Sequence, residues 1–196
     1  MSSNRASEFS ATSGWLTGQI LIAMPNMPDP RFARTVIYIC SHGPTGAMGL
    51  VLNRLLGEAS FHSLLAQLNI PVTDATPNLP IHHGGPVETT RGFVLHSTDY
   101  SREGMVAIDD SIGLSATIEI LQAISEGHGP ERFMMALGYT GWDSGQLDNE
   151  IKSNGWITAP ADDALLFDSD LDTKWERALS KIGISPFLLS GDAGHA

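Results

Sequence analysis

Apolar residues in this chain come in short bursts, ILIAM at 20–24, VIYIC at 36–40, LVLN at 50–53 and GFVLH at 92–96, and prolines, glycines or polar turns close each of them. Bursts of this length, rich in β-branched residues, read as strands and fall far short of the roughly 20 apolar residues that cross a bilayer as a helix. Between the first two lies PNMPDPRFAR, whose three prolines can neither donate to a ladder nor continue a helix, so an irregular loop is expected there. Residues 41–49, SHGPTGAMG, are turn-forming, and with LVLN as the next strand they make a candidate hairpin.

Helical spacing appears in fewer places. Ser60 can cap a helix carrying Phe61, Leu64, Leu65 and Leu68 that ends before Pro71. Leu114, Ile118, Leu121 and Ile124 predict an amphipathic helix over 114–126, with Gly127 as its stop. Asp143 and Gln146 have capping-box spacing, with Trp142 and Leu147 placed as a hydrophobic staple, so a helix is expected from about 144 to 153, closed by Asn154 and Gly155. Thr173 and Glu176 repeat that spacing ahead of Trp175, Leu179 and Ile182, and Gly183 ends this last helix. MVAID (105–109), RFMMALGY (132–139), WIT (156–158) and ALLF (164–167) read as further strands. Strands and helices mix without a regular βαβα alternation. The short links favour antiparallel pairing, so the expected fold is α+β: one compact domain with a mixed, mainly antiparallel or barrel-like sheet flanked by about four helices. It is expected to span 15–185, between a polar N-terminal tail (1–14) and a C-terminal tail (186–196).

Charge narrows the function. Of 196 residues, 22 are Asp or Glu and 11 are Lys or Arg, a formal net charge of −11. Residues 143–172 hold eight acids against Lys152 alone. Duplex binding draws on clustered cations that neutralise phosphates, so direct nucleic-acid binding is disfavoured; Arg31, Arg34, Arg54 and Arg91 are the residues that would have to gather into a basic patch. The single cysteine, Cys40, rules out an intramolecular disulfide framework, and with no apolar leader in MSSNRASEFSATSG a cytoplasmic setting without membrane attachment is expected.

Cys40 and His42 would share a face if one regular strand ran through both, which makes them a candidate thiol site, the alternative being a buried small hydrophobe. Seven histidines invite a metal reading, but HExxH is absent and one cysteine excludes any CxxC pair, so no metal or other cofactor is expected. GPTGAMG (43–49) and HHGGPV (82–87) could present backbone amides to an anion or serve only as tight turns; neither fits a P-loop or dinucleotide fingerprint.

In order, GQILIAMPNMPDPRFARTVIYIC, GAMGLVLN, HHGGPV leading into RGFVLH, and LGYTGWDSGQLDNEIKSNGW followed by Trp175 resemble the AlgH/YqgE-like family of bacterial proteins. The resemblance runs from about 15 to 185. It implies a single α+β domain of the bacterial cytoplasm and the label of transcriptional regulator, and it sets Asn53, Gly84, Gly85, Pro86, Arg91, Trp142, Gln146 and Glu150 at matching positions. It brings a fold and a label, not a reaction or catalytic residues. Together with the residue reading, the expectation is a non-enzymatic regulatory or interaction protein. Its polar concavity is built from 41–53 and 82–91, with Asn53, His83, Gly84, Gly85, Pro86 and Arg91 facing a partner protein or a small anionic ligand. The competing reading is a small-molecule enzyme that uses Cys40 with His42 or His83.

Overall fold

The computed structural model describes residues 16–189; the expected N-terminal tail and the end of the C-terminal tail lie outside them. Ten strands of the described residues form one curled sheet. In chain order they are β1 (Gln19–Ala23), β2 (Val36–Gly43), β3 (Gly46–Val51), β4 (Leu55–Ser60), β5 (Pro80–His83), β6 (Val87–Ser97), β7 (Met105–Ala107), β8 (Ile112–Ser115), β9 (Phe133–Asp143) and β10 (Trp156–Pro160). Among the described residues six helices accompany them: α1 (Phe61–Gln67), α2 (Ile118–Ser125), α3 (Gln146–Lys152), α4 (Asp163–Phe167), α5 (Lys174–Lys181) and α6 (Pro186–Leu189). Along the sheet the order is β10-β1-β2-β3-β9-β6-β8-β7, with β4 paired to β5 and β5 lying parallel beside β9. Every other pairing is antiparallel. The fold is therefore a single mixed α+β domain with a half-barrel sheet.

The unbroken apolar bursts now have a physical reason. Ile20, Ile22, Val36, Tyr38 and Cys40 face the inside of the curl, where α4 and α5 close it with Leu165, Leu166, Trp175 and Leu179. Leu21, Ala23, Ile37 and Ile39 face the outside, beneath Trp142, Leu147 and Trp156. Strands covered on both faces carry no hydrophobic alternation. A second outer cluster, at the other end of the sheet, packs α1 and α2 on β6 and β9 through Phe61, Leu65, Ile120, Leu121, Val94 and Met135.

Several expected boundaries move. Residues 41–49 are mostly strand, because β2 runs to Gly43 and β3 starts at Gly46. The helix expected from 114 begins at Ile118, since Leu114 pairs with Leu95 and Val106 in the sheet. Ser60 caps α1 as expected, and Ser63 returns the bond to the Ser60 N–H. ALLF is a helix rather than a strand: the Asp162 carboxylate accepts from the Leu165 N–H and starts α4. Thr173 does not cap α5 with its side chain; its hydroxyl donates to Asp170 at 2.5 Å and accepts from Arg177 Nε. Asp143 does not cap α3 either. The half of the capping box that forms is the Asp143 N–H donating to Gln146 Oε1, and Gly145, at φ +73°, turns the chain into the helix.

HHGGPV sits where the chain changes sides. β5 lies on one edge of β9 and β6 on the other, at the same level, so residues 84–86 must pass over the β9 backbone. The crossing is in backbone contact. A Cβ on Gly84 would lie 2.3 Å from the Gly138 carbonyl oxygen, and one on Gly85, at φ +154°, would lie 2.1 Å from the Tyr139 carbonyl carbon. Only glycine fits there.

Candidate functional site

Just beyond the crossing, the outer face of the sheet forms a cleft. β9 ends by pairing Gly141–Asp143 with β3, which presents Trp142 outward, and β10 presents Trp156 from across β1, β2 and β3. α3 connects these two strands and carries Glu150 between the indoles. One Glu150 oxygen, Oε2, accepts from Trp142 Nε1 at 3.0 Å and from Trp156 Nε1 at 2.8 Å; the other, Oε1, accepts from Gln146 Nε2 at 2.9 Å. Gln146 and Glu150 are one helical turn apart, the spacing at which side chains on α3 meet. The indoles stand edge to face at 6.2 Å and 80°.

The proline-rich loop supplies the opposite wall. Phe32 meets Trp156 edge to face at 5.8 Å, and the Arg31 guanidinium lies 5.5 Å from the centre of the Phe32 ring. Arg31 grips Asp29 through Nε and Nη2, at 3.0 and 2.7 Å, and this bonding holds the Asp29 carboxyl below the usual carboxylate range. Pro86 and Val87, delivered by the glycine crossing, complete the rim. The cavity measures about 420 Å³, within the range of small-molecule pockets.

Beyond Val87, Gly141 and Trp142, which border both spaces, lies a more polar groove of about 350 Å³. Here Ser41, Thr45 and Ala47 meet Glu88, Arg91 and Asp143. The 41–47 and 87–91 segments thus line one concavity. Arg91 is shared with Glu88 at 3.4 Å and lies 5.1 Å from the centre of the Phe93 ring.

Other expected site residues are occupied elsewhere. Asn53 is a clamp: its Oδ1 accepts from the Val36 N–H and its Nδ2 donates to the Arg34 carbonyl, each at 2.9 Å, so it fixes the start of β2. Gly84 and Gly85 form the crossing and line neither space, and the His83 N–H donates to the Arg54 carbonyl at 2.9 Å. Pro86 is in the aromatic cleft and Arg91 in the groove beside it.

Cys40 and His42 are separated by a bulge. Ile39 pairs with Gly49 and Ser41 with Met48, so two steps of β2 oppose one of β3 and the alternation inverts at Cys40. Cys40 faces the inside of the curl. His42, opposite Ala47, lies on the outer side, where its Nε2 is 3.5 Å from Asp148 on α3. The thiol is buried, burial pushes its pKa up, and Sγ points at the Tyr38 carbonyl 3.8 Å away. A thiol so placed is not ionised near neutrality, and no imidazole shares its face of β2. Among the described residues, no three His, Cys, Asp or Glu side chains are grouped to hold a metal ion.

Each arginine of the expected basic patch is engaged within the fold. Arg31 pairs with Asp29 and Arg34 with Glu176, Arg54 donates to the Ala33 carbonyl, and Arg91 pairs with Glu88. Of the cleft residues, Trp142, Gln146 and Glu150 came with the family resemblance; Phe32 and Trp156 did not stand out by spacing, because loop, helix and two non-adjacent strands bring them together.

Fold and cleft together define a class: curled, mainly antiparallel α+β domains with an aromatic cleft on the outer sheet face. A family model described as AlgH-like matches residues 20–187, and the chain belongs to the AlgH-like family. It is 52% identical over 183 residues to a UPF0301 protein of Rhodospirillum rubrum, covering 93% of this chain and 95% of that protein. It is 53% identical over 200 residues to one of Afipia carboxidovorans, covering 96% and 95%. The solution structure of the AlgH protein from Pseudomonas aeruginosa superimposes with a TM-score of 0.75 at 41% identity, over 95% of this chain and 99% of that one. The crystal structure of DIP2367 from Corynebacterium diphtheriae gives a TM-score of 0.73 at 18% identity over 97% and 99%, a likeness of fold alone.

Proposed function

We propose that this protein is a non-enzymatic recognition protein of the bacterial cytoplasm, acting in regulation by binding a ligand or partner in the cleft between Trp142, Trp156 and Phe32. The observation that carries the reading is the fixed array at Glu150, which locks two indoles and a glutamine around a cavity of small-molecule size. A rigid aromatic surface with a few oriented polar groups is the ordinary make-up of a binding pocket. The enzyme reading needs an activated thiol, and burial of Cys40 opposes one. Direct duplex binding needs spare cations, whereas Arg31, Arg34 and Arg91 are each matched to a carboxylate. A small anion in the neighbouring groove would meet Glu88 and Asp143 as well as Arg91, a balance that favours other partners.

Mapping a small-molecule screen on ¹H–¹⁵N spectra tests this. Binders are expected to move amides of Val87, Gly141, Trp142 and Gln146 together, and Cys40→Ser is expected to bind them unchanged. Responses confined to the apolar hollow at Leu68, Ile118 and Leu121, or a turnover abolished by Cys40→Ser, would overturn the reading.

A further inference from the structure

We infer that the aromatic cleft takes a small organic cation whose N–H groups bond to Glu150 and whose charge lies against the indole and phenyl walls. The inference rests on the cleft being the binding site and names the class of ligand it selects. Charge decides the class. Asp29 and Arg31 at the mouth cancel as a bonded pair, so the remaining charge in the cavity is that of Glu150, which has no ion-pair partner among the described residues. The three donors it does have, two indoles and an amide, are neutral, so they orient the carboxylate without neutralising it. Glu150 also stands in the last turn of α3, where the helix dipole disfavours a negative charge.

Acceptor capacity points the same way. An ionised carboxylate offers about four acceptor positions. Two indoles occupy Oε2 and Gln146 occupies one position of Oε1, which leaves Oε1 able to accept one more donor. A guanidinium or ammonium supplies that donor and a positive charge. The surrounding rings of Phe32, Trp142 and Trp156 are the groups that attract cations through their faces, and Arg31 already lies over Phe32 in this way. An anion would face Glu150 at the same point, and a neutral ligand would leave the charge unanswered.

The test compares n-butylguanidinium with n-butylurea, its near-isosteric neutral analogue, and with pentanoate, at constant ionic strength, by following the indole N–H resonances. Butylguanidinium is expected to shift the Trp142 and Trp156 signals saturably and to bind at least about tenfold more tightly than butylurea, the factor for one modest charge interaction. The signal of Trp175, whose indole donates to the Ala23 carbonyl inside the curl, should stay in place. Glu150→Gln, with its fold checked by a thermal melt, should reduce butylguanidinium to the level of butylurea. The wild-type comparison is decisive by itself if that variant does not fold. Equal binding of the two probes, or preference for pentanoate, overturns the cation and leaves the cleft as the site. No saturable shift with any of the three overturns both.

Discussion

Removing the Glu150 carboxylate tests whether the array at the cleft is built as described. Its two indole donors belong to Trp142 and Trp156, which are 7% and 3% exposed and share this one carboxylate oxygen as acceptor. Gln146 is exposed and can turn to solvent. Stranding a buried donor costs about 1–3 kcal/mol, so Glu150→Ala is expected to destabilise the protein by about 4 kcal/mol, from two stranded indoles. Glu150→Gln retains an oxygen where Oε2 stands but turns an NH₂ toward the Gln146 amide. That amide cannot flip without losing the Asp143 N–H, so a smaller cost of about 1 kcal/mol is expected. Urea unfolding followed by far-ultraviolet circular dichroism measures both, and Trp142→Phe in a double-mutant cycle with Glu150→Ala isolates the pair. In Trp142→Phe one indole donor is already gone, so the alanine change should cost about 2 kcal/mol less in that background. A Glu150→Ala protein within about 0.5 kcal/mol of wild type, or a cycle with no coupling, would show that the indoles do not depend on the carboxylate, and the reasoning about the cleft would fail with it.

Three further outcomes follow from other parts of the fold. Burial lowers the pKa of His82 from 6.5 to about 4, so the unfolded chain binds its proton first as pH falls; stability is then whole above about 6.5 and declines toward 4, by up to about 3 kcal/mol. His96 is shifted in the same direction by its burial, so the diagnostic quantity is the wild-type pH slope minus that of His82→Gln, and equal slopes would refute the assignment. Gly85→Ala drives a Cβ into the Tyr139 carbonyl and should cost about 4 kcal/mol or more, whereas Gly43→Ala meets open space and should be nearly neutral in the same melts. Cys40 should react with iodoacetamide only as fast as the protein unfolds, and fast labelling of the native state would reopen the thiol chemistry.

Much of the fold was legible because most elements obey local rules. The apolar bursts at 20–24 and 36–40 are central strands, Ser60 caps α1, and Gly127 and Gly183 follow α2 and α5 with positive φ. The failures share one cause, tertiary partners outweighing local signal. Leu114 has helical spacing with Ile118 yet pairs in the sheet, and the ALLF segment is apolar enough for a strand but is started as a helix by Asp162 and packed into the curl. The bulge at Cys40 is invisible in VIYICSHG, because nothing in those residue types says that two of them will oppose one residue of β3. A single extra residue reversed the face of His42 and removed the one catalytic pairing that the spacing suggested.

The glycines of HHGGPV show why the site was only half visible. A glycine-rich segment beside polar residues has two physical uses, exposing backbone amides to a ligand or letting two backbones touch, and residue type cannot separate them. Here contact with β9 decides. Gly84 donates its N–H to the Leu137 carbonyl and accepts at its own oxygen from the Val51 N–H, so its polar groups serve the sheet. Yet without the crossing, Pro86 and Val87 could not reach the outer face where Trp142 stands, and neither cavity would have its shared wall. The recognition surface is therefore a product of chain routing. The residues that route the chain stand apart from those that meet a ligand, so substitutions at Gly84 and Gly85 should act through folding, those at Phe32 through binding, and those at Glu150, which both holds the indoles and faces the cleft, through both.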